Sequence, residues 1–128
     1  MKALIVDDME MNRELLAIFL EGRASVELAE SGEDALKLVE EALGTDEYFD
    51  LICMDIFMPG MDGHETLKKI REMEAAAGCV RATAFMVTGS SSPDDMFDAL
   101  MHGGCDDYLT KPLMQQSFSD LLVKHGLC

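Results

Sequence analysis

Basic residues are scarce in this chain. Ten Lys and Arg stand against twenty-five Asp and Glu, a formal charge of −15. So acidic a molecule repels phosphate backbones and anionic lipid, which argues against direct binding to nucleic acid or to a membrane surface. Long apolar runs are missing too. None approaches the roughly 20 residues of a membrane span, and the N-terminal MKALIVDD meets acid too early for a signal peptide. The expected address is cytoplasmic. Cys53, Cys79, Cys105 and Cys128 form no CxxC pair and have no His at zinc-finger spacing, so they read as reduced, unpaired thiols. Linkers and low-complexity segments are absent as well.

What remains is a chain of 128 residues, 48% apolar, long enough to bury a core without covalent staples and read as one domain over 1–128. The eleven methionines fall mostly at helical or core positions and read as packing. Two periodicities alternate. Ala3 to Val6 is a continuous apolar run, the pattern of a strand buried on both faces. Leu15, Ile18 and Phe19 then recur at helical spacing until Gly22. Ser25 to Glu30 alternates as an edge strand does. Ser31 is placed as an N-cap before a helix with the stripe Leu36, Val39 and Leu43, ending at Gly44. Further strands are expected at Asp50–Asp55, Ala82–Thr88 and Cys105–Leu109. Helices are expected around Leu67, Ile70 and Met73, from Pro93 through Met101, and after Pro112 around Phe118, Leu121 and Leu122. Five βα repeats predict an α/β domain with a parallel sheet covered by helices on both faces.

In such a sheet, ligands collect beyond the carboxyl ends of the strands. Asp7 and Asp8 follow the first strand, Asp55 ends the third, Thr88 ends the fourth and Lys111 follows the fifth. Taken singly, an acid after a strand is usually a cap, a threonine a turn hydroxyl and a lysine a solvated charge. Their convergence on one rim changes that reading. Like charges 4 Å apart repel by about 4 kcal/mol at an effective dielectric of about 20. Clustered carboxylates therefore need a cation or must shift their pKa values. Oxygen ligands with room for water suit Mg²⁺. A carboxylate nucleophile with Mg²⁺, a lysine and a hydroxyl is equipment for accepting a phosphoryl group.

VDD at 6–8, MDIFMPGMDG at 54–63, VTG at 87–89 and YLTKP at 108–112 together resemble the receiver domain of two-component response regulators, across nearly the whole chain. The resemblance implies a flavodoxin-like, doubly wound five-stranded parallel sheet in the order 2-1-3-4-5 with five helices. It implies phosphoryl transfer to Asp55 from a sensor histidine kinase or a histidine phosphotransfer protein. Asp8 and Asp55 match side-chain ligands of Mg²⁺, with the backbone carbonyl of Phe57 as a third and Asp7 acting through water. Thr88 matches the switch hydroxyl, Tyr108 the switch aromatic (otherwise an ordinary half-buried strand residue) and Lys111 the lysine that holds the phosphoryl oxygens. The Lys111–Pro112 bond is expected to be cis. The implied output is a population shift that alters the face of the fourth helix, fifth strand and fifth helix, where a downstream target docks and where a homodimer could also form. A receiver of this kind is a signalling phospho-acceptor rather than an enzyme, though it promotes its own phosphorylation and slowly loses the group.

Phe57 departs from the pattern, being bulky and apolar where many receivers are polar, and Gly89 stands where Ala is common. Phe57 also excludes a haloacid-dehalogenase-like phosphatase, which needs an acid two residues after its nucleophile. Asp7 and Asp8 exclude a flavodoxin-type cofactor loop, since they repel phosphate. The remaining alternative is a receiver-like interaction module that works without phosphorylation. His64, His102 and His125 read as solvated surface residues without a role.

Overall fold

The structure is a computed structural model, and it describes residues 1–89, 97, 101 and 104–127. Among the described residues the elements run β1 (Lys2–Val6), α1 (Glu10–Phe19), β2 (Ser25–Ala29), α2 (Gly32–Leu43), β3 (Leu51–Asp55), α3 (Gly63–Ala77), β4 (Thr83–Thr88), β5 (Asp107–Thr110) and α4 (Gln115–Lys124). The sheet order is β2-β1-β3-β4-β5 and every pairing is parallel, so the flavodoxin-like arrangement is observed. The helix expected from Pro93 and the Ser90–Ser92 loop lie outside the described residues, apart from Phe97 and Met101, both helical and exposed. The helix labelled α4 is therefore the fifth of the sequence reading.

The continuous apolar runs are explained by what covers the sheet. Successive strand side chains point to opposite faces, and each face has its own helical layer. Leu4, Val6, Ile52, Met54, Ala84 and Met86 pack under α2 and α3, against Ala35, Val39, Leu67 and Ile70. Ala3, Ile5, Leu51, Cys53, Phe85 and Val87 pack under α1 and α4, against Leu16, Phe19, Phe118 and Leu122. Burying each of the larger side chains contributes on the order of 2 kcal/mol, so the two layers hold the rim rigid from below.

Local signals fix the boundaries. Ser31 caps α2, its hydroxyl accepting the Asp34 N–H at 3.1 Å, and Gly44 follows the helix as expected. In α1 the buried face differs from the sequence reading. Leu16, Phe19 and the following Leu20 are buried, whereas Ile18 is exposed and Leu15 only partly buried. In α2 the fully buried stripe is Ala35, Val39 and Ala42, with Leu36 and Leu43 at its margins. Small residues sit where the helix lies closest to the sheet, and the larger leucines wedge in from the sides. Cys53, Cys79 and Cys105 form no disulfide among the described residues, and burial pushes Cys53 up to about 12, so it stays an inert apolar side chain.

Candidate functional site

The stretch from Asp55 to Gly63 builds the rim. β3 ends at Asp55, whose Cα is paired with Val87 of β4, and Ile56 N–H donates to the Val87 carbonyl at 3.1 Å. The strand is thereby held up to the residue that follows the acid. Gly60 takes a left-handed φ of 78°, which reverses the chain. Asp62 then caps α3, accepting the Glu65 N–H at 2.8 Å. Gly63 N–H donates to the Ile56 carbonyl at 2.8 Å. A Cβ on Gly63 would collide with the carbonyl oxygen of Asp55 and approach Ile56 Cα to 2.9 Å. Glycine here lets the first turn of α3 press directly on the backbone of Asp55.

Asp7 and Asp8 leave the end of β1 beside it. One ligand oxygen from each of Asp7, Asp8 and Asp55 can be chosen so that all lie within 4.8 Å of one another. Asp7 and Asp55 are buried and Asp8 is exposed, so the cluster has a closed floor and an open mouth. Asp7 is partly committed to the turn. Its Oδ1 accepts the Met9 N–H at 2.9 Å, and its main-chain carbonyl accepts from Arg13 Nη1 at 2.7 Å. Its Oδ2 is buried without a hydrogen bond and faces Lys111 Nζ at 3.7 Å, an ion-pair distance too long for a hydrogen bond.

Lys111 reaches into the cluster from the end of β5, with Nζ 3.4 Å from Asp55 Oδ1. Its N–H donates to the Thr88 carbonyl at 2.7 Å, which holds the ends of β4 and β5 together. The Lys111–Pro112 bond is cis, as the resemblance implies. Thr88 is buried at the end of β4. Burial and the Asp7 carboxylate push the Asp55 carboxyl up against the pull of Lys111, to about 6. A buried carboxyl in this condition is poised to accept a cation that relieves it.

Asp7, Asp8, Asp55, Thr88 and Lys111 are thus all at the carboxyl edge of the sheet, where the sequence placed them. Phe57 is on the same loop, with its side chain 71% exposed. Tyr108 is half-buried against the core and lines an open groove of about 400 Å³ between β5 and α4, with Thr110, Ser117 and Leu121. The sequence reading missed Arg13 as a brace for the Asp7 turn, because a single arginine in a helix carries no pattern. It also missed Gly63, although the DG step before a helical period was a signal. His125 is corrected. It is not a solvated residue, since its Nε2 lies 3.0 Å from Asp107 Oδ2 and its ring packs 5.3 Å from Phe85. His64 is half-buried with Nδ1 unbonded, and His102 is outside the described residues.

A parallel 2-1-3-4-5 sheet carrying an acid cluster and a lysine at its switch-point edge defines a flavodoxin-like α/β domain with a polar site at the carboxyl ends of its strands. The chain belongs to the response regulator receiver domain family, whose model matches residues 3–122. It is 35% identical over 129 residues to the two-component response regulator ORR41 of Oryza sativa subsp. japonica, covering 98% of this chain and 94% of that protein. It also spans 7% of the length of hybrid signal transduction histidine kinase L of Dictyostelium discoideum, at 33% identity. Among solved structures, it is similar to the receiver domain of the histidine kinase CKI1 from Arabidopsis thaliana complexed with Mg²⁺ and BeF₃⁻, with a TM-score of 0.81, 31% identity, and 97% and 89% of the two chains covered. The receiver domain of Saccharomyces cerevisiae Ssk1, solved with the phosphotransfer protein Ypd1, gives a TM-score of 0.84 at 31% identity, covering 97% of this chain and 87% of that one.

Proposed function

We propose that residues 1–128 act as one receiver unit that accepts a phosphoryl group on Asp55 from the phosphohistidine of a sensor kinase or phosphotransfer protein. The observation that carries this is the buried Asp55 carboxylate, 3.4 Å from Lys111 and clustered with Asp7 and Asp8. In the transfer, an oxygen of Asp55 forms a bond to phosphorus while the phosphorus–nitrogen bond of the donor breaks, and the departing imidazole takes up a proton. Lys111 neutralises charge on the transferred oxygens, and the Thr88 hydroxyl, at the neighbouring strand end, would turn toward them.

The residues fit Mg²⁺. Three carboxylates converge, one buried oxygen of Asp7 has no hydrogen bond, and every donor is a hard oxygen. Asp8, Asp55 and the Phe57 carbonyl would hold the ion, with Asp7 acting through water. Bound there, the ion offsets the charge of the carboxylates and of the incoming phosphoryl oxygens. The solved CKI1 receiver with Mg²⁺ and BeF₃⁻ supports this reading.

Partner docking follows from the surface around the mouth. Met9, Met11, Phe57 and Met114 are all exposed on the loops that carry the site or in the first turn of α1. Apolar side chains ringing an acidic centre suit a helical donor that must bring its histidine close. Output then passes through Tyr108 to the face of the expected fourth helix, β5 and α4, where a downstream protein or a second copy would dock. Slow loss of the phosphoryl group, with Phe57 screening water, resets the protein in the cytoplasm.

The test is intact mass after incubation with acetyl phosphate and Mg²⁺. One added phosphoryl group is expected, and neither Asp55→Asn nor the EDTA-treated protein gains it. A wild-type protein that binds Mg²⁺ but gains no mass even on rapid quench would act as a phosphorylation-independent interaction module instead.

A further inference from the structure

Consecutive acids at the entry to β5 have different partners: Asp106 is bound by Arg71 of α3 and by Arg81 just before β4, and Asp107 by Lys124 and His125 at the end of α4. Asp106 Oδ2 accepts the Ala84 N–H at 2.8 Å and faces Arg71 Nη2 at 3.3 Å, while its Oδ1 accepts from Arg81 Nη2 at 3.1 Å. Arg71 comes from α3 and also donates to the Gly104 carbonyl and to Glu74. Asp107 Oδ2 accepts from Lys124 Nζ at 2.9 Å and lies 3.0 Å from His125 Nε2, and its Oδ1 accepts the Tyr108 N–H at 3.0 Å.

We propose that Asp106 and Asp107 form a two-sided anchor for the edge strand β5, and that the Asp107 half is a link through which the seating of the last turn of α4 positions Tyr108 and Lys111. β5 has four residues and a single neighbouring strand, so ladder hydrogen bonds alone hold it weakly along its length. Its lower end is fixed by the two acids and its upper end by the Lys111 N–H on Thr88. The two halves of the anchor differ in kind. Asp106 is held by the largely buried Arg71, by the half-exposed Arg81 and by a strand N–H, none of them at a helix end. Asp107 is held by the last residue of α4 and by its cap, and helix ends are where local opening begins.

The Asp107 carboxylate is nearly buried, and His125 is wedged between it and Phe85, whose ring meets Phe118 of α4 edge-on at 6.3 Å. Burial opposes ionisation of Asp107, yet hydrogen bonds from His125, Lys124 and the Tyr108 N–H hold its carboxyl below the usual range. A partner that lifted the end of α4 would strand this charge, and relief requires β5 to move with the helix. Asp107, Lys124 and His125 are positioning residues. The consequence for signalling rests on the reading of Tyr108 and Lys111 above, whereas the link itself does not.

Native-state amide hydrogen exchange on Lys124→Gln and on the Lys124→Gln/His125→Gln double variant tests it. No β5 residue is altered. The backbone amides at positions 125 and 127, bonded to the Leu121 and Leu122 carbonyls, report the end of α4, and the Lys111 amide reports β5. The link predicts that all three exchange about tenfold faster in the double variant, as expected for losing charge-assisted hydrogen bonds, with a smaller change of the same sign in Lys124→Gln and none in α2. Acceleration at the end of α4 with an unmoved Lys111 amide overturns it, as does no change anywhere or a uniform change that includes α2. Should the double variant fail to fold, Lys124→Gln decides alone, since that side chain is largely exposed. Acetyl phosphate labelling of the same variants at Asp55 reports the functional reading separately.

Discussion

Asp55 carries opposing demands in one side chain. The sheet places it out of water beside another acid, which raises it to about 6, and only Lys111 works against that. Between the unfolded value of about 4 and about 6, the folded protein binds more protons than the unfolded chain, so the stability contributed by this residue falls as pH rises through that window. Asp55→Asn removes the buried charge. In metal-free buffer at pH 7.5 it is expected to stabilise the fold, by at most about 3 kcal/mol and in practice roughly 1–2, because Lys111 loses its nearest carboxylate. Urea unfolding with EDTA should show the gain at pH 7.5 and its disappearance near pH 4. A variant that is less stable than wild type at pH 7.5 would show that Lys111 outweighs burial and Asp7. The place of Asp55 at the rim was legible in the sequence because Asp7, Asp8, Thr88 and Lys111 also fall at or just after strand ends. Its degree of strain was not, since that depends on where Asp7 and Lys111 arrive from distant parts of the chain.

Elements set how accurately those residues meet. α3 is seated against the loop that follows β3 by Gly63, whose missing side chain lets the helix touch the Asp55 carbonyl and Ile56 Cα. Gly63→Ala forces α3 away from the loop and is expected to cost roughly 2–3 kcal/mol, read as a lower unfolding midpoint. Asp55 labelling should slow with it, because the loop that carries Asp55 shifts too. Full stability in this variant would mean that the loop gives way without cost. Element type and order were legible from periodicity, since strands covered on both faces leave continuous apolar runs and helices leave stripes. Finer faces were not. Ile18 fitted the stripe of α1 but lies on its outer side, and Leu16 and Leu20 fill the core instead, because a helix of 10 residues lets more than one register satisfy the same pattern. His125 was misread for a related reason: its partners Asp107 and Phe85 belong to β5 and β4, and no local pattern announces them.

At the scale of the molecule, one acidic α/β domain brings four strand ends to a single edge and leaves an apolar rim around them. Its sheet and helices hold Asp7, Asp8, Asp55 and Lys111 together at that edge. The strand order could be inferred only through the family resemblance, because apolar periodicity states which segments are strands but not which neighbours they choose. The chain matches both a response regulator along most of its length and a small part of a hybrid kinase. The most direct measurement is to label the protein with acetyl phosphate and Mg²⁺, reduce it with borohydride, and map the peptides by mass. An acyl phosphate on Asp55 predicts homoserine at position 55 alone, and none after EDTA. Reduction at a different acid, or no homoserine from a protein shown by rapid quench to be labelled, would contradict the account.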